Sequence, residues 1–485
     1  MPPTSNADFR LRRTDLVVFS LIVLLHLAVA VFLKNVVGID ITANPGSRPW
    51  DWWWQTVPQD LLKNDLGRSL WFLHSQPPLF NLYGALFFNL FPMNPMPAMQ
   101  YGNIVLGALT SGGLYLILLL MTRTRWISAL VAVLLAISLG SFLFEAYMLY
   151  DILTCFLITL SVTMLAFFTH TKKIVFAASF ILAVSILVLS RSAYHLIILL
   201  PAIVVLILAS IRDWKKLLIV SALIGILPLA WYVKNDVMYG FFGGSSWGGF
   251  NLWKVASATY NSEELEALAN QGVISQVAAE QEIFRPASAY VEYGFNQRSN
   301  IPVLNQDNQH NYNMIAVAKS YQESALNLIR KDPTRYLRSI VKGYEIYNIP
   351  SFQFKHHAVN AGKLWPGMLT LGSYISGSAF SPFHGVYFGS FFFFLVPLCV
   401  IAYLALLVFM TIKNRGGLKA ALESLPIATW IIVLISYTTL VSILFETGEN
   451  GRERFYVEQL IFVFLVSTLV WVIQQFTRFG KAAHS

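Results

Sequence analysis

Residues 151–191 read DILTCFLITLSVTMLAFFTHTKKIVFAASFILAVSILVLSR. Two apolar runs, 151–169 and 174–190, flank the pair Lys172-Lys173. Asp151 and Arg191 mark the far ends. As a helix, each run is about long enough to cross a hydrocarbon core roughly 30 Å thick. An amphipathic soluble helix would carry a polar face, and these runs carry none. The stretch therefore reads as a helical hairpin in lipid, with lysines at its turn and ionisable groups at its open ends. The whole chain agrees. Of its 485 residues 56% are hydrophobic and 12% charged, against about 25% charged in soluble domains. A water-soluble fold is excluded.

Working outward, further apolar runs fall at 16–33, 101–121, 127–145, 194–210, 217–233, 386–410, 427–445 and 457–476, which makes ten spans. An eleventh piece, 78–91, is short for a crossing. If the N-terminus is inside, the inner ends carry Arg10, Arg12 and Arg13, then Arg123 and Arg125, then Lys172 and Lys173. Arg212, Lys215 and Lys216 follow, then Lys413, Arg415 and Lys419, then Arg478 and Lys481. That is the positive-inside pattern. Counting 78–91 as a crossing inverts every later loop, so it is expected on the outer side. The formal charge of +9 then reports cytoplasmic loops rather than a nucleic-acid partner. Lys34, Arg191 and Lys234 stand at outer ends against this trend. Cys155 and Cys399 lie in apolar runs, with no disulfide or Cys-metal pattern.

Three divisions follow: a membrane module at 1–234 containing an outer loop at 35–76, a polar region at 235–384, and a second membrane module at 385–485. The polar region holds eleven basic and eleven acidic residues, as a neutral folded domain would. Helices are expected at 262–284, at 313–329, and from Asp332-Pro333 to about Tyr347.

Ionisable residues near the spans gather on the outer side. The first outer loop has Asp51, Asp60, Asp65 and His74, the last before Gln76-Pro77-Pro78-Leu79. Glu145 and Asp151 stand six apart, Arg191 and His195 follow, and FETGENGRERF (445–455) supplies Glu446, Glu449, Arg452, Glu453 and Arg454. Charge at the hydrocarbon edge persists only when paired or lining a wet cavity. Acids and arginines converging there would make a cleft with a general base and an anion clamp. Each residue also has a plainer reading. Asp51 caps a helix beginning DWWWQ, Glu145 and Asp151 are loop charges, His74 is structural, and Arg452 and Arg454 snorkel. Trp50, Trp52, Trp53 and Trp54 fit an interfacial belt, or a surface stacked on a sugar or an isoprenoid.

These motifs, in this order over about residues 15 to 475, resemble the superfamily of GT-C glycosyltransferases that use polyprenyl-phosphate sugars. That group includes protein O-mannosyltransferase-like and aminoarabinose transferase-like enzymes. The resemblance rests on Asp51 about two dozen residues before His74-Ser-Gln-Pro77-Pro78-Leu79, and on Glu145 and Asp151. It extends to Gly249-Phe-Asn251-Leu252-Trp253, Asp332-Pro333-x-Arg335-Tyr336 with Lys342, and Glu449-Asn450-Gly451-Arg452-x-Arg454-Phe455. Asp51-Trp52 departs from the family's Asp-Glu, and His74 lies three residues before Pro77.

The resemblance implies an all-α polytopic fold of about 10–11 spans with a mainly helical extracytoplasmic domain, in the bacterial cytoplasmic membrane. It implies an inverting transfer of a sugar from a polyprenyl phosphate to an acceptor hydroxyl on the outer face. The acceptor would be a lipid, a glycan or a protein. Asp51, Asp151 and Glu145 are then the catalytic candidates, and Arg191, Arg452, Arg454 and Lys254 the phosphate-binding ones. His74, Trp52 and Glu449 would position substrate. No ligand spacing supports a tight metal site, and a divalent cation stays open. Two rival classes remain: an O-antigen ligase or polymerase-like enzyme, and a lipid-linked sugar flippase or transporter.

Overall fold

The computed structural model describes residues 11–43, 50–375, 391–413 and 417–483. Arg10, Arg415 and the segment 376–390, where the eighth apolar run begins, lie outside them, and the side chains of Arg478 and Lys481 are not described. Among the described residues the secondary structure is helical, with no strand. The fold is all-α and polytopic. Seven helices are long and apolar enough to cross a membrane: Arg13–Val37, Pro95–Thr122, Asp151–Thr171, Ile211–Tyr239, Phe392–Lys413, Pro426–Phe445 and Asn450–Thr477. The pair Arg125–Ala136 and Leu139–Glu145 forms one bent unit with a 49° break. Ile174–Ser190 and Leu196–Ala209 are shorter apolar helices. The described part of every run read from the sequence thus falls on helix. The 78–91 piece forms the 12-residue helix Leu79–Leu90.

Local chemistry explains the ends. Arg123 and Lys172, basic residues of two turns, close the Pro95–Thr122 and Asp151–Thr171 helices in the left-handed conformation, at φ 58° and 55°. A residue there folds the chain back and satisfies an orphan carbonyl. Arg125 then grips Asp15 of the first span through two bonds of 2.7 and 3.0 Å.

Pro95–Thr122 is the most enclosed span, followed by Asp151–Thr171 and Asn450–Thr477. Lipid is as apolar as leucine, so burial alone gives spans little reason to associate. Close packing and hydrogen bonds decide. Trp430 Nε1 donates to Ser161 Oγ at 3.0 Å, the Tyr194 and Thr438 hydroxyls meet at 2.9 Å, and Gln459 Nε2 donates to Ser141 Oγ at 2.9 Å. Each such contact contributes on the order of 0.6 kcal/mol. Gly107 makes a close approach between spans: a Cβ there would lie 2.1 Å from Glu145 Oε1. Only a bare backbone leaves room for that carboxylate.

A second apolar core lies between the two span groups in sequence. Trp247, Phe250, Trp253, Tyr290, Met314 and Tyr321 fill it. Asn261 and Glu264 cap the Ser262–Asn270 helix reciprocally, as the capping-box geometry requires. Asp332 accepts from the Thr334 and Arg335 amides at the start of Pro333–Tyr347. The helix expected over 262–284 is broken. Gly272 turns left-handed at φ 70°, and a separate short helix covers Gln276–Glu280.

Candidate active site

Two spans begin at the same level and face each other with opposite charge. Asp151 is in the first turn of its helix, where the dipole favours an acid. Arg452 and Tyr456 lie one turn apart on a shared face of the Asn450–Ala483 helix. Asp151 accepts from Arg452 at 2.7 and 3.1 Å and from the Tyr456 hydroxyl at 2.7 Å. All three are buried. Arg452 also donates to Glu449 at 3.0 Å, and Glu449 faces Lys355 at 3.4 Å and His356 at 3.6 Å. Burial would raise the Glu449 carboxyl. His356, Arg452, Lys355 and Lys254 outweigh it and hold the group well below the usual carboxylate range.

Arg191 joins from the end of Ile174–Ser190. One of its nitrogens meets Glu453 at 2.5 Å. Its guanidinium lies between the rings of Tyr150 and Tyr456, at 4.3 and 4.6 Å from their centroids. Nε and Nη1 are buried with no hydrogen-bond partner. Arg454 pairs with Glu458 at 3.0 Å and lies 3.7 Å over the Phe392 ring, and its Nε and Nη1 are likewise unpartnered. Such groups cost about 1–3 kcal/mol each when left unsatisfied. They mark places where an acceptor belongs. Lys254 pairs with Glu446. Burial alone would lower that ammonium, but Glu446, Glu449 and Glu453 hold it above its ordinary value. The turn before the last helix is fixed by Asn450, which donates to the carbonyls of Ser442 and Glu446.

The Asp51 loop is built on a buried neighbour. Trp50 packs on Phe80 and Phe88 and donates from Nε1 to the Val57 carbonyl at 2.9 Å. Its ring fills space where a Cβ on Gly84 would lie 2.2 Å away. Asp51 is exposed and accepts from the Gln59 amide at 2.8 Å; no helix begins at DWWWQ, and the first helix after it is Gln59–Asn64. Trp53 turns inward to Tyr147 and His356, at 5.1 and 5.4 Å. Trp52 lies edge-on to Trp53 and near His356 at 6.3 Å. Since His356 faces Glu449, this loop borders the charged cluster.

Two candidates fall elsewhere. Glu145 is not brought to the cluster. The bend before Leu139–Glu145 turns it into the bundle, where Oε1 meets His26 Nε2 at 2.6 Å. His26 Nδ1 in turn meets Ser111 at 3.0 Å. His74 is a buried clamp. Its Nε2 donates to the His310 carbonyl at 3.0 Å, so Nδ1 accepts the Ser246 hydroxyl at 2.8 Å. His310 repeats the pattern, donating from Nε2 to the Thr56 carbonyl at 2.6 Å and accepting from Ser75. Burial lowers His74 to about 3 and His310 to about 4, so both stay neutral. Of the cations on the unexpected side, Lys34 donates to Gln100, and Lys234 donates to the carbonyls of Trp71 and Leu73.

Sequence reasoning missed Tyr150, Tyr456, Lys355 and His356. Tyr456 stands four residues after Arg452, a spacing that could have flagged it. The other three carry no local signal. Among the described residues no group of three or more His, Cys, Asp or Glu is placed to hold a metal ion.

No protein-family model matches the chain. No curated protein matches it either. The solved structures similar to it include two membrane enzymes. One is the archaeal oligosaccharyltransferase AglB of Archaeoglobus fulgidus, solved with an inhibitory peptide and a dolichol-phosphate. It is 13% identical with a TM-score of 0.46, over 97% of this chain and 52% of that one. The other is ArnT of Cupriavidus metallidurans, bound to undecaprenyl phosphate. It is 12% identical with a TM-score of 0.35, over 89% of this chain and 78% of that one. The chain spans about half the length of the archaeal enzyme.

Proposed function

We propose that this chain is a membrane glycosyltransferase that moves a sugar from a polyprenyl-phosphate donor to an acceptor hydroxyl. The observation that carries the reading is Arg191. It is a buried guanidinium with two unpartnered nitrogens, between two tyrosine faces, beside an ion-pair network. A phosphate oxygen supplies the acceptor those donors lack, and arginine suits such contacts. Arg454 and Lys254 add positive charge nearby. Asp151 and Glu449 hold Arg452 in place and act as positioning residues.

Asp51, exposed on its loop beside the cluster, is the general base. It takes the acceptor O–H proton as that oxygen attacks the anomeric carbon. The bond from that carbon to the phosphate oxygen breaks, and the polyprenyl phosphate leaves with the electron pair. Arg191 stabilises its negative charge. One displacement inverts the anomeric centre. Glu145 and His74 take no part in this chemistry. The loops 35–76 and 235–384 face the outside of a bacterial cytoplasmic membrane, in keeping with the basic residues at the opposite ends of the spans.

The test is binding of undecaprenyl phosphate to the purified full chain, followed by transfer from undecaprenyl-phosphate sugars. Wild type binds the lipid, Arg191→Gln loses most of that affinity, and Asp51→Asn binds normally without turnover. Equal lipid affinity in wild type and Arg191→Gln would overturn the phosphate assignment. Full turnover by Asp51→Asn would remove it as the base.

A further inference from the structure

The Asp51 loop sends two neighbouring tryptophans in different directions. Trp53 is buried toward Tyr147 and His356, whereas Trp54 reaches the separate core between the span groups. There it stacks on Phe284, with centroids 4.7 Å apart and planes 21° from parallel, while half of Trp54's surface stays exposed. One face is covered by Phe284, and the open half is an apolar plate.

Phe284 is held in an unusual way. Its φ is +62°. A bulky residue in that region is a true outlier and costs about 1–3 kcal/mol. The ring is pinned by Trp247 and Phe250, each 5.1 Å away. The next residue, Arg285, is fixed on both sides. Its amide donates to the Tyr290 hydroxyl at 3.2 Å, and its carbonyl accepts from Gln309 Nε2 at 2.9 Å. Strain over-determined by its surroundings points to a use for the displaced ring.

Two polar side chains adjoin the plate through the chain, Gln55 after Trp54 and Gln309 on the carbonyl of Arg285, the residue after Phe284. Gln309 is 2% exposed, and its Oε1 has no partner. Gln55, the residue after Trp54, also has a buried Oε1 with no partner. Both are acceptors waiting for donors. Arg285, next to Phe284, pairs with Glu282 at 2.8 Å. A ligand fitting this set has a flat apolar face for the indole, hydroxyl donors for amide oxygens, and no need of net charge. A neutral pyranose ring has all three. An isoprenoid has no donors. Phe284 also belongs to the core between the span groups rather than to a span, so an interfacial belt does not account for the plate.

We propose that Trp54 and Phe284 form a binding plate for a neutral saccharide, with Gln55 and Gln309 accepting from its hydroxyls. Resting on the transferase reading above, this plate is the acceptor subsite and makes the acceptor a glycan. It lies three residues from Asp51, on a loop whose Trp50 and Trp53 carbonyls are both held by the Thr56 hydroxyl.

The test uses the detergent-solubilised full chain and two probes, chitotetraose and cellotetraose, titrated by calorimetry. Wild type binds at least one. Trp54→Ala weakens binding by about tenfold or more, the equivalent of about 1.4 kcal/mol. Phe284→Gly does the same while tolerating the left-handed backbone. Trp54→Tyr, which keeps a ring, stays within about threefold, the equivalent of about 0.6 kcal/mol. Undecaprenyl phosphate binding is measured on the same preparations and does not change. If wild type binds neither sugar, or all variants bind alike, the plate is overturned. Sugar binding without lipid binding would instead overturn the transferase reading and leave the plate standing.

Discussion

Asp151 and Arg452 are 301 residues apart in the chain and meet through two bonds of 2.7 and 3.1 Å in a buried setting. Removing one partner strands the other charge, and that costs about 3–5 kcal/mol. Asp151→Asn should therefore lower the unfolding temperature in detergent strongly. Arg452→Met with Asp151→Leu should recover much of it, because no lone charge remains. Neither variant should transfer sugar. Thermal unfolding by tryptophan fluorescence, beside a transfer assay, checks both statements.

Arg191 couples stability to lipid binding in a separable way. Arg191→Gln leaves Glu453 short of its cation, so stability falls. Arg191→Gln with Glu453→Gln should restore stability to near wild type while lipid affinity stays lost. A double variant that regained lipid affinity would argue against Arg191 as the phosphate ligand.

His26 Nε2 lies 2.6 Å from Glu145 Oε1 in a buried setting. Ser111 Oγ donates to the Gly107 carbonyl at 3.2 Å, so it accepts from His26 Nδ1. Glu145→Gln supplies a donor and should change stability by only about 1 kcal/mol, with transfer retained. Glu145→Ala leaves His26 unsatisfied and should cost about 1–3 kcal/mol before any cavity term. Loss of transfer in a stable Glu145→Gln protein would return Glu145 to the catalytic set.

Acid should destabilise the outer clamp. His74 at about 3 and His310 at about 4 lie below the ordinary histidine value of about 6.5. Between those limits the unfolded chain binds more protons than the folded one, so stability rises with pH and is lost as pH falls. At pH 5 each histidine forfeits about 2 kcal/mol. The unfolding temperature should drop from pH 7 to pH 4.5, and more gently in His74→Gln. Equal slopes in the two proteins would count against a buried neutral His74.

Span positions were legible because lipid selects long apolar runs: the described part of each run falls on helix, and seven of these helices are long and apolar enough to cross. The late segment 445–455 was also legible, since five charges at a hydrocarbon edge must find partners. Which acid meets which base was not. Glu145 and Asp151 look alike six residues apart, yet Glu145 ends one helix and meets His26 while Asp151 opens the next and meets Arg452. His74 owes its role to partners 172 and 236 residues away, and no local pattern announces such partners. The broken 262–284 helix turned on Gly272, where a left-handed φ ends what the helix formers began.

The pairing of the last helix with earlier parts also bears on biogenesis. Asp151 waits for Arg452 across 301 residues of synthesis, about 15–60 s at ordinary ribosomal speed. Arg191 and Lys254 wait similarly for Glu453 and Glu446. Until the Asn450–Ala483 helix inserts, Asp151 and Arg191 lack these partners and stand as uncompensated charges at the membrane edge.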